Sequence, residues 1–101
     1  MWIVSMRFRA ALPDDELLRL SRESFPKFRA LAGLDQKYYV KDHETGCVGG
    51  VYLFETEQTA RDYVAGPIVT AVPQRFQVTG EVSVEVLEVT LTLNEQAAIP
   101  V

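Results

Sequence analysis

Two strand-like runs, "LDQKYYVKD" and "CVGGVYLFE", stand either side of the short segment "HETG" (residues 43–46), and this pairing constrains the fold more than any other feature. Glycine at the last turn position suits a tight hairpin with a bulge, so the middle of the chain is an antiparallel pair. If Glu44, Thr45 and Gly46 form the loop, His43 faces Cys47. Counting outward then pairs Tyr38 with Tyr52, Val40 with Gly50, and Gln36 with Phe54. One face collects Leu34, Tyr38, Val40, Val48, Tyr52 and Phe54, and the other Lys37, Tyr39, Lys41, Val51 and Leu53. Gly49 and Gly50 sit where a strand usually carries β-branched or aromatic residues. They imply either a closely approaching backbone or a hollow in the packed face.

The flanks of the hairpin supply the remaining elements. "WIVSMRFRA" alternates Trp2, Val4, Met6 and Phe8 against Ser5, Arg7 and Arg9, the period of a strand. "LPDDELLRLSRES" opens with proline and three acids, which complement the free amides of a first helical turn, and predicts a helix to about Ser24. Pro26 breaks it, so Phe25, Phe28 and Leu31 belong to a reoriented second segment ending at Gly33. Thr56 is the expected N-cap of another helix, with Ala60, Tyr63 and Val64 buried and with Gly66 and Pro67 stopping it. "PIVTAVPQR" adds a helical turn bounded by prolines. From Phe76 a long strand carries Val82, Val84 and Val86 on one parity and Val89, Leu91 and Leu93 on the other. The slip near Leu87 and Glu88 predicts a bulge there. After Asn94 the pattern fades, and the tail is expected to be loosely held.

Strand, helix, hairpin, helix, strand is the order of the split βαβ, an α+β ferredoxin-like fold with a four-stranded antiparallel sheet and helices on one side, here as a single domain over residues 1–101. Such a sheet leaves one face uncovered. Val51, Leu53 and Tyr39, with aliphatic residues of the last strand, would form an apolar area on it, and that predicts a homodimer packed sheet to sheet. The net charge of −4, with basic residues scattered singly, opposes binding to a phosphate backbone and so to nucleic acid. Apolar runs are too short to span a bilayer and no leader pattern opens the chain. A lone cysteine fits a reducing compartment, so the expectation is a cytoplasmic protein without membrane partners. One histidine with one cysteine cannot close a zinc site, and no phosphate-cradling glycine motif follows a strand; neither a metal nor a bound cofactor is expected.

"AGLDQKYYV" followed by "GGVYLFETEQTARDYV" resembles the signature of the YdhR-type monooxygenases of the dimeric α+β barrel superfamily. There a Gly-Leu-x-x-Lys strand precedes Gly-Gly-[Ile/Val]-Tyr-x-Phe and an Ala-x-x-Tyr helix. Gly33, Leu34, Lys37, Gly49, Gly50, Tyr52, Phe54, Ala60 and Tyr63 hold those places, while Ala32 stands where proline is frequent and Tyr39 where tryptophan is. The resemblance implies a homodimeric α+β barrel with a pocket in each subunit between sheet and helices. It also implies cofactor-independent oxygenation of a small aromatic or enolisable compound, with a noncatalytic small-molecule binding dimer as the alternative. An RNA-recognition module, which "GGVYLF" superficially echoes, is opposed by the acidic balance.

Candidate site residues follow from chemistry. His43 is the one side chain that ordinarily titrates near neutrality, and the register sets it beside Cys47, although a solvated turn residue is the plainer role. Arg7 and Arg75 are candidates to hold an anionic substrate or enolate, against the default of surface charges. Tyr38, Tyr52 and Tyr63 are candidate donors to a developing oxyanion, or else core rings with one wet end. Gly50, lying among Tyr38, Val40 and Tyr52, is expected to open the hollow that a flat ligand enters, with Phe54 as a further substrate-binding candidate.

Overall fold

The computed structural model describes residues 1–94, so the tail after Asn94, expected to be loosely held, lies outside the described residues. The elements are β1 (Trp2–Ala10), α1 (Asp14–Glu23), α2 (Phe25–Arg29), β2 (Leu34–Lys41), β3 (Val48–Phe54), α3 (Glu57–Val64), α4 (Pro67–Arg75) and β4 (Val78–Glu88). The strands form one antiparallel sheet in the order β2-β3-β1-β4, the ferredoxin-like arrangement. Central β1 sends Val4, Met6 and Phe8 to the helix side, where they pack with Tyr52, Phe54, Phe28, Ala60, Tyr63 and Val72. No helix among the described residues is long and apolar enough to cross a membrane.

Local chemistry accounts for most boundaries. Thr56 and Thr59 cap α3 reciprocally: the Thr59 amide donates to Thr56 Oγ1 at 3.1 Å, and the Thr56 amide donates to Thr59 Oγ1 at 3.4 Å. Pro26 falls in the first turn of α2, where a missing N–H costs nothing, and α1 has ended just before it. "PIVTAVPQR" forms all of α4, nine residues instead of a single turn, with Pro73 inside it.

Three expectations about the strands are corrected. Asp42, not His43, faces Cys47: the Asp42 amide donates to the Cys47 carbonyl at 2.8 Å, and the loop is the four residues 43–46. That one-residue difference pairs Lys37 with Tyr52, Tyr38 with Val51, Tyr39 with Gly50, and Val40 with Gly49. Because side chains alternate, it turns β2 over, so Lys37, Tyr39 and Lys41 share the helix side with Tyr52 while Tyr38 and Val40 join Val51 and Leu53 on the opposite face, where Leu53 is fully buried and not exposed as expected. The bulge in β4 is not near Leu87 and Glu88. It lies where Arg7 to Arg9 of β1 meets Ser83 to Thr79, at Gly80, whose φ of 84° suits a residue without a Cβ. β4 ends at Glu88, so Leu91 and Leu93 follow it as exposed chain.

Candidate active site

α1 decides the shape of the site. It presents Leu17, Leu18 and Leu20 toward the molecule, yet none of its residues is buried, and Leu18 is 55% exposed. Leu17 and Leu18 fail to close on the sheet and leave a cavity of about 660 Å³ beneath the helix, within the range of small-molecule sites. Its walls include Leu17, Leu18, Phe28, Ile68 and Val72 from the helices, Phe76 just after α4, and Met6, Phe8 and Val48 from the sheet. Polar ties from charged side chains help hold α1 at this distance. Lys41 Nζ donates to Asp14 Oδ2 at 2.9 Å, and Arg75 Nη2 donates to the Leu20 carbonyl at 3.2 Å.

One end of the cavity is polar. Lys37 rises from β2 into a pocket of rings, with Nζ 3.6 Å from the centroid of Phe28, 4.0 Å from Tyr39 and 4.7 Å from Tyr52. Among the described residues it has neither a carboxylate partner nor a hydrogen-bond acceptor. Loss of its hydration shell lowers the amine from 10.5 to about 7. The ring faces favour the ammonium and oppose this shift, but they return only part of what water supplied. Tyr39 reaches α1, with its hydroxyl 3.2 Å from Ser24 Oγ, which itself donates to the Ser21 carbonyl at 2.6 Å.

Tyr52 and Tyr63 complete this end, their ring centroids 4.9 Å apart. Burial pushes the Tyr52 phenol up to about 12, and the Tyr63 hydroxyl beside it draws it partly back. Burial raises Tyr63 further, and Tyr52 adds to the rise. The contact between the two hydroxyls nevertheless falls short of a hydrogen bond, leaving Tyr63 Oη buried without a partner among the described residues. Both phenols therefore keep their protons at neutral pH. An unpaired buried hydroxyl costs stability, and it becomes satisfied once a ligand oxygen comes within reach.

The paired glycines have separate explanations. A Cβ on Gly49 would lie 1.8 Å from the Met6 carbonyl oxygen, so β1 and β3 approach too closely there for any side chain. A Cβ on Gly50 would meet the Tyr52 ring at 3.0 Å. The space that Gly50 frees is thus occupied by Tyr52, and the hollow expected among Tyr38, Val40 and Tyr52 is instead bounded by Tyr52, Lys37 and Tyr39.

Of the residues singled out from sequence, Tyr52, Tyr63, Arg75 and His43 line the cavity, His43 from the exposed loop at its mouth. Gly50 lies beneath Tyr52, and Phe54 is fully buried behind Tyr63, with ring centroids 5.5 Å apart. Arg7 and Tyr38 do not reach the cavity: both lie on the opposite sheet face, and Arg7 Nη1 donates to the Met6 carbonyl at 2.9 Å. His43 is not opposite Cys47, as the register correction requires. Lys37, Lys27 and Tyr39 escaped the sequence reading as site residues. A lysine in the middle of a strand, directly followed by Tyr38, Tyr39 and Val40, was the available signal for Lys37.

The charge distribution is uneven. Lys27, Lys37, Lys41 and Arg75 line the cavity, four of the chain's ten lysines and arginines, but Asp14 is the one lining residue among fourteen acids. Asp14 is already tied to Lys41. A protein of net charge −4 thus presents a cationic recess.

Comparison with known proteins extends these observations. Solved structures of the same fold include SnoaB, a cofactor-independent oxygenase from Streptomyces nogalater, at 12% identity and a TM-score of 0.71, covering 93% of this chain and 97% of that one. They also include a monooxygenase from the gene ActVA-Orf6 of Streptomyces coelicolor, in complex with the ligand nanaomycin D, at 16% identity and a TM-score of 0.66, covering 99% and 92%. A protein of unknown function from Nitrosomonas europaea is similar at 16% identity and a TM-score of 0.72, covering 99% and 94%. No curated protein matches the chain. The family model described as "Putative mono-oxygenase ydhR" matches residues 3–99, and the chain belongs to that family.

Proposed function

We propose that this protein is a monooxygenase that oxidises a small aromatic or enolisable compound with dioxygen and without a bound cofactor. The observation that carries the reading is the apolar cavity under α1, closed at one end by Lys37, Tyr52 and Tyr63. Its walls suit a flat ring system, and its polar end suits the oxygen of a phenol or enol. Cofactor independence follows from electron balance if the substrate supplies every electron. An activated methylene and dioxygen give a carbonyl and water, or a phenol and dioxygen give a quinone and water. Each is a four-electron oxidation matched by complete reduction of dioxygen, with one oxygen atom kept in the product.

In this reading Tyr52 and Tyr63 donate to the substrate oxygen, Arg75 and His43 guard the entrance, and the apolar walls exclude water from the carbanion. The fold shared with SnoaB and the ActVA-Orf6 monooxygenase supports the scaffold, and the nanaomycin D complex of the latter supports a small-molecule ligand. We read the open face, with Ile3, Val40, Val51 and Leu87, as the surface through which two copies pair. Tyr38 takes the place there that Tyr39 was expected to fill.

Oxygen consumption in the presence of an anthrone, for the activated methylene, or of a readily ionised phenol tests the activity. The expected outcome is one dioxygen consumed per quinone formed, in metal-free buffer. Ligand binding without any oxygen uptake across such compounds would leave a noncatalytic binding protein.

A further inference from the structure

In an aerobic solution a protonated phenol or enol reacts sluggishly with dioxygen, and its conjugate base is the electron-rich species. A site for this chemistry therefore needs a group to receive one proton, and the cavity has few candidates. Tyr52 and Tyr63 hold their own protons. Asp14 is exposed and engaged by Lys41, and His43 sits on the outer loop. Arg75 and Lys27 are cationic side chains of exposed residues nearer the entrance. Lys37 differs from all of these in position: its Nζ is enclosed by the rings of Phe28, Tyr39 and Tyr52, with no anion beside it.

We propose that Lys37 takes the phenolic or enolic proton of the substrate, so that the cavity holds its ligand as an oxyanion against the Lys37 ammonium. The substrate class is thus an acidic hydroxyaromatic or enol, and the inference rests on the pocket reading above. In the transfer the O–H bond breaks, an Nζ–H bond forms, and the electron pair remains on oxygen. No further reactant is needed. The enclosure that makes a solitary ammonium costly makes an ammonium–oxyanion pair favourable, since each charge replaces the other's lost water. The ring faces favour the ammonium that the transfer creates, and the nearby Lys27 and Arg75 add a field that favours the oxyanion. The unpaired Tyr63 hydroxyl, in the same end of the cavity, is available to donate to that oxygen.

4-Nitrophenol at about pH 8 is a suitable probe, because it ionises near neutrality and is not oxidised by dioxygen. Calorimetric titration in buffers of different ionisation enthalpy counts the protons taken up on binding. At this pH most of the probe is free phenolate and most of Lys37 is neutral, so the wild-type protein is expected to take up close to one proton per site. Lys37→Met is expected to bind at least tenfold more weakly with no uptake. Lys37→Arg keeps a permanent cation and is expected to bind the phenolate with no uptake, which separates proton acceptance from charge alone. Wild-type binding without proton uptake overturns the proposal, as does equal uptake by Lys37→Met, or no binding at millimolar probe. None of these outcomes depends on turnover. Oxygen consumption tests the monooxygenase reading separately, and either result can fail while the other stands.

Discussion

Replacing Lys37 with methionine should make the protein more stable, and the gain should fade as pH rises. Burial lowers the amine from 10.5 to about 7, a difference of about 3.5 units. At about 1.4 kcal/mol per unit this sets a ceiling of roughly 5 kcal/mol on the cost of keeping the charged form folded. The ring faces return about 1 to 2 kcal/mol of favourable cation–π energy, so a net gain of about 3 to 4 kcal/mol is expected at about pH 6. The sign follows from linkage. Below the folded pKa both states carry the proton and the full cost is present. Between about 7 and 10.5 the unfolded chain holds a proton that the folded one lacks, so wild-type stability rises relative to the variant by up to about 1.4 kcal/mol per pH unit. Above that window the charge cost is gone. Methionine matches the length of the lysine stem, so packing is largely kept. Urea denaturation of both proteins from about pH 6 to pH 10 measures the difference, in which titration of the other groups cancels. A difference within about 0.5 kcal/mol that stays flat with pH would mean that Lys37 is an ordinary solvated lysine, and the reasoning would be refuted.

Tyr63→Phe removes a buried hydroxyl that lacks a partner, so stability should rise by about 1 kcal/mol while affinity for 4-nitrophenol falls; thermal melts and the same calorimetry check both, and a destabilised variant would point to a partner for Tyr63. Gly49→Ala drives a Cβ into the Met6 carbonyl oxygen and should cost about 3 kcal/mol or more, or abolish folding, as read by circular dichroism, whereas Gly50→Ala should fold and displace the Tyr52 ring toward the cavity, weakening probe binding. Arg7→Ala should leave probe binding within about twofold, because Arg7 lies on the face opposite the cavity; a larger loss would place the ligand elsewhere. Light scattering at micromolar concentration should give the mass of two chains, and a monomer would remove the proposed sheet-to-sheet pairing.

Much of the architecture was legible because several signals agreed. The alternation of Trp2, Val4, Met6 and Phe8, the acids at 14–16, Pro26, and Thr56 before Ala60 and Tyr63 each point to an element that formed. What could not be read was the length of the hairpin loop. "HETG" accommodates three or four loop residues, and alternation along β2 gave no firm vote, since Tyr38 and Val40 compete with Tyr39 and the long stem of Lys37 for the inner face. A shift of one residue was enough to put Lys37 outside. In the structure it lies under the helices, against Phe28 of α2. The cavity itself was also hidden, because the leucines of α1 announce burial, whereas the helix stands off the sheet on the Lys41–Asp14 and Arg75–Leu20 ties. Nor did the sequence show that the room above Gly50 is filled by the Tyr52 ring.

A crystal structure of the protein with a bound hydroxyaromatic ligand tests the central claim most directly. The account predicts a ring between Leu17 and Val48, with its oxygen within hydrogen-bond distance of Lys37 Nζ and of a Tyr52 or Tyr63 hydroxyl. A ligand bound on another surface, or one whose oxygen points away from Lys37 toward the mouth, would contradict it.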